Sequence, residues 1–215
     1  MFQDVNSYPT LAVLEARWQA IRDEYDQVAE PLLSAWSLQN VADEDSGWRV
    51  FGLMQSQYRL ADNWRCCPVT TAALAELKGV TSAGFSVLEP GAHLPPHRGL
   101  PKGVLRVHLG VTVPDGSTIR VRDVTRSWDE GRVLVFDDTN EHEVHNHSDR
   151  RRVVLLLDIL PDPAADKWVH KFIRALERWQ TALHVRFGWR LPAFVGQIAQ
   201  HVVRGLDWAL GRRVT

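Results

Sequence analysis

The sequence predicts a mainly β fold, a jelly roll of short strands with helices at both ends. Two patterns carry that reading. Between residues 83 and 159 apolar side chains recur with a period of two, in six short runs separated by turn signals. On both sides of that stretch the period lengthens to three and four, the spacing of an amphipathic helix. At 215 residues, 45% hydrophobic and 24% charged, the chain has the size and composition of one globular domain with appendages.

Taken in order, residues 9–37 read as helix, because Leu11, Leu14, Trp18, Ile21 and Tyr25 recur at three- and four-residue steps. Pro31 interrupts the pattern and starts a second helical piece running to Trp36. Residues 48–54 alternate and favour a strand; Cys66-Cys67-Pro68 ends a loop. Residues 70–77 read as a short helix capped by Thr70 or Thr71 and closed by Gly79. The six core strands follow at residues 85–88, 104–113, 119–122, 133–136, 143–146 and 153–159, with Pro90-Gly91 and Pro114-Asp115-Gly116 as turn signals. The last is a nearly continuous apolar run, the pattern of a strand buried on both faces. After Pro161 and Pro163 the helical period returns: Trp168, Phe172, Leu176, Trp179 and Leu183 share one face, and after a break at residues 188–192 so do Val195, Ile198, Val202, Leu206 and Leu210. The expected organisation is therefore a domain over residues 1–162, helical over 1–80 and β over 81–162, followed by an amphipathic extension over 163–215.

The net charge of −1 is unevenly spread: residues 163–215 hold nine Lys/Arg against three acids, so the extension carries +6 and the body −7. Such a tail either packs on the barrel as a helical pair or lies as a basic amphipathic helix on anionic membrane. Cys66 and Cys67 are adjacent, so they neither staple distant segments nor copy a C-x-x-C site. With no apolar run near the roughly 20 residues of a spanning helix and no signal-peptide pattern, the expected location is the cytoplasm, with peripheral contact at the inner membrane face as the tail's alternative. The nine tryptophans fall mostly at helical core positions, which is packing; nucleic acid is not an expected partner.

The chemistry concentrates between Gly84 and Asp158. His97, in Pro96-His97-Arg98-Gly99, and His142, in Glu141-His142-Glu143-Val144, bracket the strand-rich region, and Arg152 follows the second histidine by ten residues. A distal histidine pair on a β scaffold, with a basic residue on the next strand, is the layout of an Fe(II)- and 2-oxoglutarate-dependent oxygenase. Imidazole suits Fe(II), and a guanidinium matches a carboxylate bidentately.

The ordered motifs Phe85 to Gly91, Pro96-His97-Arg98-Gly99, Leu105-Arg106-Val107-His108-Leu109-Gly110, Trp128-Asp129-Glu130-Gly131, Phe136-Asp137-Asp138, His142-Glu143-Val144 and Arg152 to Asp158 resemble the aspartyl/asparaginyl β-hydroxylases over about 75 residues. A weaker match continues upstream through Trp18, Arg22 and Cys67-Pro68. The resemblance implies a double-stranded β-helix, with His97 and His142 as Fe(II) ligands and 2-oxoglutarate and O2 as co-substrates. It further implies that Arg152 and Ser86 meet the distal carboxylate of 2-oxoglutarate, that His108 lies near its other end, and that Arg106 meets an acidic group on the substrate.

Four positions bear on how far the resemblance carries, and two of them have open alternatives. Oxygenases of this chemistry commonly place a carboxylate two residues after the first histidine; here that residue is Gly99, an absence the β-hydroxylases share. Asp138 matches an acidic family position from which it would hydrogen-bond a water in the vacant place, or else it caps the turn after Phe136. His108 is alternatively a core histidine satisfied by backbone. Gly84 departs from the peptide hydroxylases, which carry a basic residue there. The expected substrate is the β-carbon of an Asp or Asn side chain in a peptide or small metabolite, and the alternative is a membrane-lipid acyl chain. Gly99 points to the first, since lipid hydroxylases carry an acid there, and the basic tail points to the second. A non-catalytic β-barrel binding module is a third reading. His93, His145, His147 and His170 read as ordinary polar residues.

Overall fold

The structure, a computed structural model, describes residues 1–28, 47–99, 103–162 and 167–187. The helical piece expected around Pro31 and the second amphipathic stretch of the tail lie outside the described residues.

Two antiparallel sheets form the body. The larger contains β1 (Trp48–Gln55), β2 (Tyr58–Arg59), β3 (Val80–Leu88), β5 (Leu105–Thr112), β8 (Val133–Phe136) and β10 (Arg152–Ile159), in the order β2-β1-β3-β10-β5-β8. The smaller contains β4 (His93–His97), β6 (Ser117–Val121), β7 (Val124–Arg126) and β9 (His142–Asn146), in the order β4-β9-β6-β7. This is the jelly-roll class that the period-two runs predict. β1, from the part of the chain grouped with the N-terminal helices, pairs directly with β3 in the larger sheet.

Every residue of β10 is buried because the larger sheet is covered on both faces. Val153, Leu155 and Leu157 pack with Leu14, Ile21 and Leu74 under the N-terminal helices α1 (Ala12–Ala16), α2 (Trp18–Asp26) and α4 (Pro68–Glu76). Val154 and Leu156 face the other way, with Trp48, Ile119, Phe136 and Val144 in a second core between the sheets. Burying each such side chain stabilises by about 1.5–3 kcal/mol. Alternation along β10 thus leaves Arg152, Val154, Leu156 and Asp158 on the inner face.

The helices differ from the sequence expectation in instructive ways. The single helix expected from residue 9 is two 3-10 turns, then α1 and α2, broken at Arg17. The helix expected from residue 70 starts at Pro68, whose missing N–H costs nothing in a first turn. Its cap is not Thr70 or Thr71 but the Glu24 carboxylate of α2, which accepts from the Val69 and Thr70 amides at 2.5 and 2.8 Å. The expected loop before Cys67 is mostly α3 (Ala61–Cys66). β4, an unexpected strand, contains Pro95 and Pro96, which suit an edge position because neither can donate to a ladder.

The extension begins with α5 (Trp168–Phe187). Ile173, Arg174 and Thr181 are its buried residues, and Ser56 Oγ in the β1–β2 turn donates to Glu177 at 2.5 Å. Of the two alternatives for its apolar face, packing on the barrel or lying on membrane, the first does not hold for this stripe: Trp168, Phe172, Leu176 and Trp179 are 66%, 54%, 39% and 55% exposed. The tryptophans therefore do not behave as one class, since Trp48 and Trp128 are buried between the sheets. No helix among the described residues is long and apolar enough to cross a membrane.

Candidate active site

The histidine pair is made by one break in register. On β9, His142, Val144 and Asn146 are buried while Glu143 and His145 are only partly so. On β4, His93 pairs with His145, and plain alternation would put His97 on the same outer face. The register shifts between Leu94 and His97, across the two prolines, and His97 pairs with His142 instead. Their ring centroids are 4.1 Å apart. His97 Nδ1 lies 2.7 Å from the Pro95 carbonyl and His142 Nδ1 lies 2.9 Å from that of Asn140. Those carbonyls hold the proton on Nδ1 and leave each Nε2 lone pair for a metal. Burial lowers the pKa of His97, and burial with the neighbouring His97 brings His142 down to about 3. Both rings are thus neutral at physiological pH, the form that ligates.

Gly99 leaves the room that Asp138 fills. A Cβ at Gly99 would lie 2.2 Å from Asp138 Oδ2 and 2.4 Å from its Cγ, so the Asp138 carboxylate occupies the space a side chain at position 99 would need. Of the two readings of Asp138, the turn cap belongs to its neighbour: Asp137 Oδ1 accepts from the Thr139 amide at 3.0 Å and from its hydroxyl at 2.7 Å. Asp138 itself is buried and accepts from Arg106 Nη2 at 2.7 Å.

Arg106 has its anions within the chain. Besides Asp138, Asp158 Oδ1 lies 2.7 Å from Arg106 Nε, directly across the β5–β10 ladder. Burial works to lower the Arg106 pKa, but Asp158, Asp138 and Glu177 outweigh it and raise it. Two carboxylates of the chain itself thus already balance Arg106, where the resemblance implies an acidic group on the substrate.

Arg152 is the opposite case. It is 1% exposed, its Cζ sits 4.9 Å over the Trp128 ring, and its Nη1 donates a long 3.4 Å hydrogen bond to the Ser86 carbonyl. Among the described residues no carboxylate pairs with it, and its Nε has no hydrogen-bond partner. Burial alone pulls its pKa to about 9, which still leaves it charged at neutral pH. Arg151, one residue earlier, turns outward to Glu89 at 2.8 Å. His108 accepts from Trp128 Nε1 through Nδ1 at 3.2 Å, so the proton is on Nε2, which is buried with no acceptor. Burial first, then Arg152, Arg106 and His142, hold its pKa well below the usual range. Ser86 Oγ accepts from Trp48 Nε1 at 2.9 Å. Two buried donors, Arg152 Nε and His108 Nε2, thus lack an acceptor among the described residues, which suits an acidic small molecule.

Three residues that sequence reasoning did not single out support this set: Trp128, Trp48 and Asp158. Trp128 stood in a family motif without a role. Asp158 was legible from alternation, six residues after Arg152 on the same face. A second group, His93, Glu143 and His145, has ligand atoms within 4.8 Å of one another, but it lies on the outer face of the β4–β9 pair.

The two sheets of the jelly roll thus enclose a tautomer-fixed histidine pair beside unsatisfied buried donors. The family model described as Aspartyl/Asparaginyl beta-hydroxylase matches residues 15–161, and the chain belongs to that family. It is 39% identical over 166 residues to an ornithine lipid ester-linked acyl 2-hydroxylase of Rhizobium tropici, covering 73% of this chain and 59% of the relative. It is 33% identical over 153 residues to the aspartyl/asparaginyl beta-hydroxylase of Mus musculus, covering 68% of this chain and 21% of the relative. The chain thus spans about three fifths of one of these relatives and a fifth of the other. Among solved structures, the Schizosaccharomyces pombe Cnp3 cupin domain aligns with a TM-score of 0.42 and 9% identity over 70% of this chain and 77% of that one.

Proposed function

We propose that the chain is an Fe(II)- and 2-oxoglutarate-dependent hydroxylase. The observation that carries this reading is the unpaired, fully buried Arg152 on the same inner face as His108, within a barrel that also encloses the His97–His142 pair. His97 and His142 would hold the metal through Nε2. Arg152 would fork onto the distal carboxylate of 2-oxoglutarate, with Ser86 beside it, and His108 Nε2–H would donate toward the other end. Asp138, fixed by Arg106, would orient a water where other oxygenases place a third ligand. Bound iron, 2-oxoglutarate and O2 supply the oxidising power: a C–H becomes C–OH, and 2-oxoglutarate leaves as succinate and carbon dioxide. The chain's own share is to hold the ring tautomers, neutralise the co-substrate and exclude water with Trp128, Phe136 and Leu156.

The names of the two relatives share a chemistry. An Asp β-carbon and C2 of an ester-linked acyl chain are both methylenes bonded to a carboxyl-derived carbon, and we infer a substrate with such a methylene. The acyl ester is favoured because Arg106, the cation offered for an acidic side chain, is already paired with Asp138 and Asp158. The Asp or Asn side chain is the second reading, and Gly99 favours it. The test is incubation with Fe(II), 2-oxoglutarate and O2, with succinate measured and products searched by mass spectrometry for one added oxygen in ester-linked lipids and in Asp/Asn peptides. Iron-dependent succinate with oxygen in the lipid is the expected result. Absence of iron-dependent succinate with every substrate would leave a binding module in place of an enzyme.

A further inference from the structure

Of the eight large hydrophobic side chains exposed in the described structure, six belong to α5: Trp168, Phe172, Leu176, Trp179, Val185 and Phe187. Four of them, Trp168, Phe172, Leu176 and Trp179, fall at successive four- and three-residue steps and so form one stripe along the helix. The stripe is bordered by exposed cations, Lys167, Lys171, Arg178 and Arg186, whereas the only acid of the helix, Glu177, is held by Ser56. Between this border and the β1–β2 turn lies a cavity of about 310 Å³ lined by Lys171, Arg174 and Arg178 with Ser56, Gln57 and Leu160. Three cations along one flank of a helix, opening beside an aromatic stripe, suit an anionic headgroup whose chains continue into an apolar phase.

The helix also lies at one end of the candidate active site. His170 packs where a Cβ at Gly103 would come within 2.3 Å of its Nδ1, on the segment joining His97 to β5. The Glu177 carboxylate adds, after Asp158 and Asp138, to what raises the Arg106 pKa.

We propose that α5 seats the protein on an anionic lipid surface, its aromatic stripe in the interface and the Lys171–Arg174–Arg178 cavity on a lipid headgroup phosphate or carboxylate. This rests on the acyl-chain reading of the substrate and gives it a route, because the Arg106 end of the barrel is then turned toward the bilayer. Tryptophan beside Lys and Arg is the composition of an interfacial helix. The other occupants fit the charge poorly. Residues 188–215 carry Arg190, Arg204, Arg212 and Arg213 against Asp207, the same sign as the border, and a second copy would present the same cations.

The test uses the full chain in sedimentation with phosphatidylcholine vesicles, with and without phosphatidylglycerol, read also by the tryptophan emission shift. Expected is salt-sensitive binding that requires phosphatidylglycerol. Phe172→Glu and Trp179→Glu should abolish it, and Lys171→Gln and Arg178→Gln should weaken it roughly fivefold for each cation removed. All four side chains are exposed, so thermal midpoints should not move, and light scattering checks the oligomeric state. No binding at low salt, or binding indifferent to these substitutions, overturns the proposal. So does a dimer that Phe172→Glu dissolves, or a cavity that takes inorganic phosphate while vesicles are ignored. Turnover of a monomeric short-chain acyl ester is measured in parallel. A wild-type chain that ignores vesicles while keeping that turnover defeats this inference alone, and vesicle binding without any turnover defeats the catalytic reading alone.

Discussion

One ladder, between β4 and β9, carries two cross-strand histidine pairs that face opposite ways. His93 and His145 stack outside at 3.8 Å and 9°, with their Nε2 atoms 3.5 and 3.8 Å from Glu143, which Arg120 holds. His97 and His142 meet inside at 53°, each with Nδ1 against a backbone carbonyl. By donor count the outer group is the richer, two imidazoles and a carboxylate against two imidazoles. What the inner pair has in addition is a fixed tautomer, deeper burial, and the donors of Arg152 and His108 that lack an acceptor among the described residues. Ligand type alone does not favour the inner pair; the buried guanidinium beside it, with no carboxylate partner among the described residues, does.

The largest effect expected from breaking that contrast is on turnover. Loss of groups that merely support metal ligands typically costs about 10–100-fold, so His97→Ala or His142→Ala should exceed that loss in iron-dependent succinate formation, with the fold intact by circular dichroism. His93→Ala and His145→Ala should stay within about twofold. Iron retention after gel filtration reads the same contrast directly. If the outer substitutions empty the metal and the inner ones do not, the assignment of the two faces is reversed.

The same contrast recurs at the next pair of residues along the chain. Arg152→Leu removes a buried guanidinium from the place where a co-substrate carboxylate would sit, and breaking such a charge pair typically costs about 2–5 kcal/mol. The Michaelis constant for 2-oxoglutarate should rise at least thirtyfold while iron content is unchanged. Arg151→Leu removes a surface ion pair with Glu89, worth about 1 kcal/mol or less, and should leave that constant alone. Equal effects would mean that Arg152 is not the anchor.

What was legible in the sequence follows the range of the forces involved. Period two in the strands reports which face a sheet buries, so the β core, the full burial of β10 and the opposite facing of Arg151 and Arg152 could all be read locally. The inward turn of His97 could not, because it depends on a register break across Pro95-Pro96 that alternation would have predicted the other way. The Glu24 cap of α4 joins residues 45 apart and leaves no local pattern. The apolar stripe of α5 was legible as a stripe, but periodicity does not say what a stripe meets. Gly99 reads in the sequence only as a missing acid; in space it is the clearance for the Asp138 carboxylate, which in turn fixes Arg106. The pairing of Arg106 with Asp138 and Asp158 likewise leaves no local pattern, because both acids are remote from it in sequence.

The smallest effect expected is on stability against pH in the metal-free protein, and its sign follows from the inner histidines. His142 has a folded pKa near 3 against an ordinary 6.5, and His108 and His97 are shifted the same way, chiefly by burial. Above pH 6.5 neither the folded nor the unfolded chain protonates these rings, so they contribute no pH dependence. Below it the unfolded chain takes up protons that the folded chain refuses, so stability falls as pH falls, down to about pH 3 for His142. The limiting slope is about 1.4 kcal/mol per pH unit for one ring, so His142 should cost roughly 1 kcal/mol between pH 7.5 and 5.5. His145 is also shifted down, but near the surface with Glu143 opposing the shift, and contributes less. Urea midpoints at the two pH values should therefore converge by about one ring's share in His142→Gln and by less in His145→Gln. Saturating iron should steepen the dependence in the wild type, because protons and metal compete for the same Nε2 atoms. A wild type whose midpoint is flat across that range would show that the inner pair is wetter than its geometry implies, and the contrast between the two faces of the ladder would shrink accordingly.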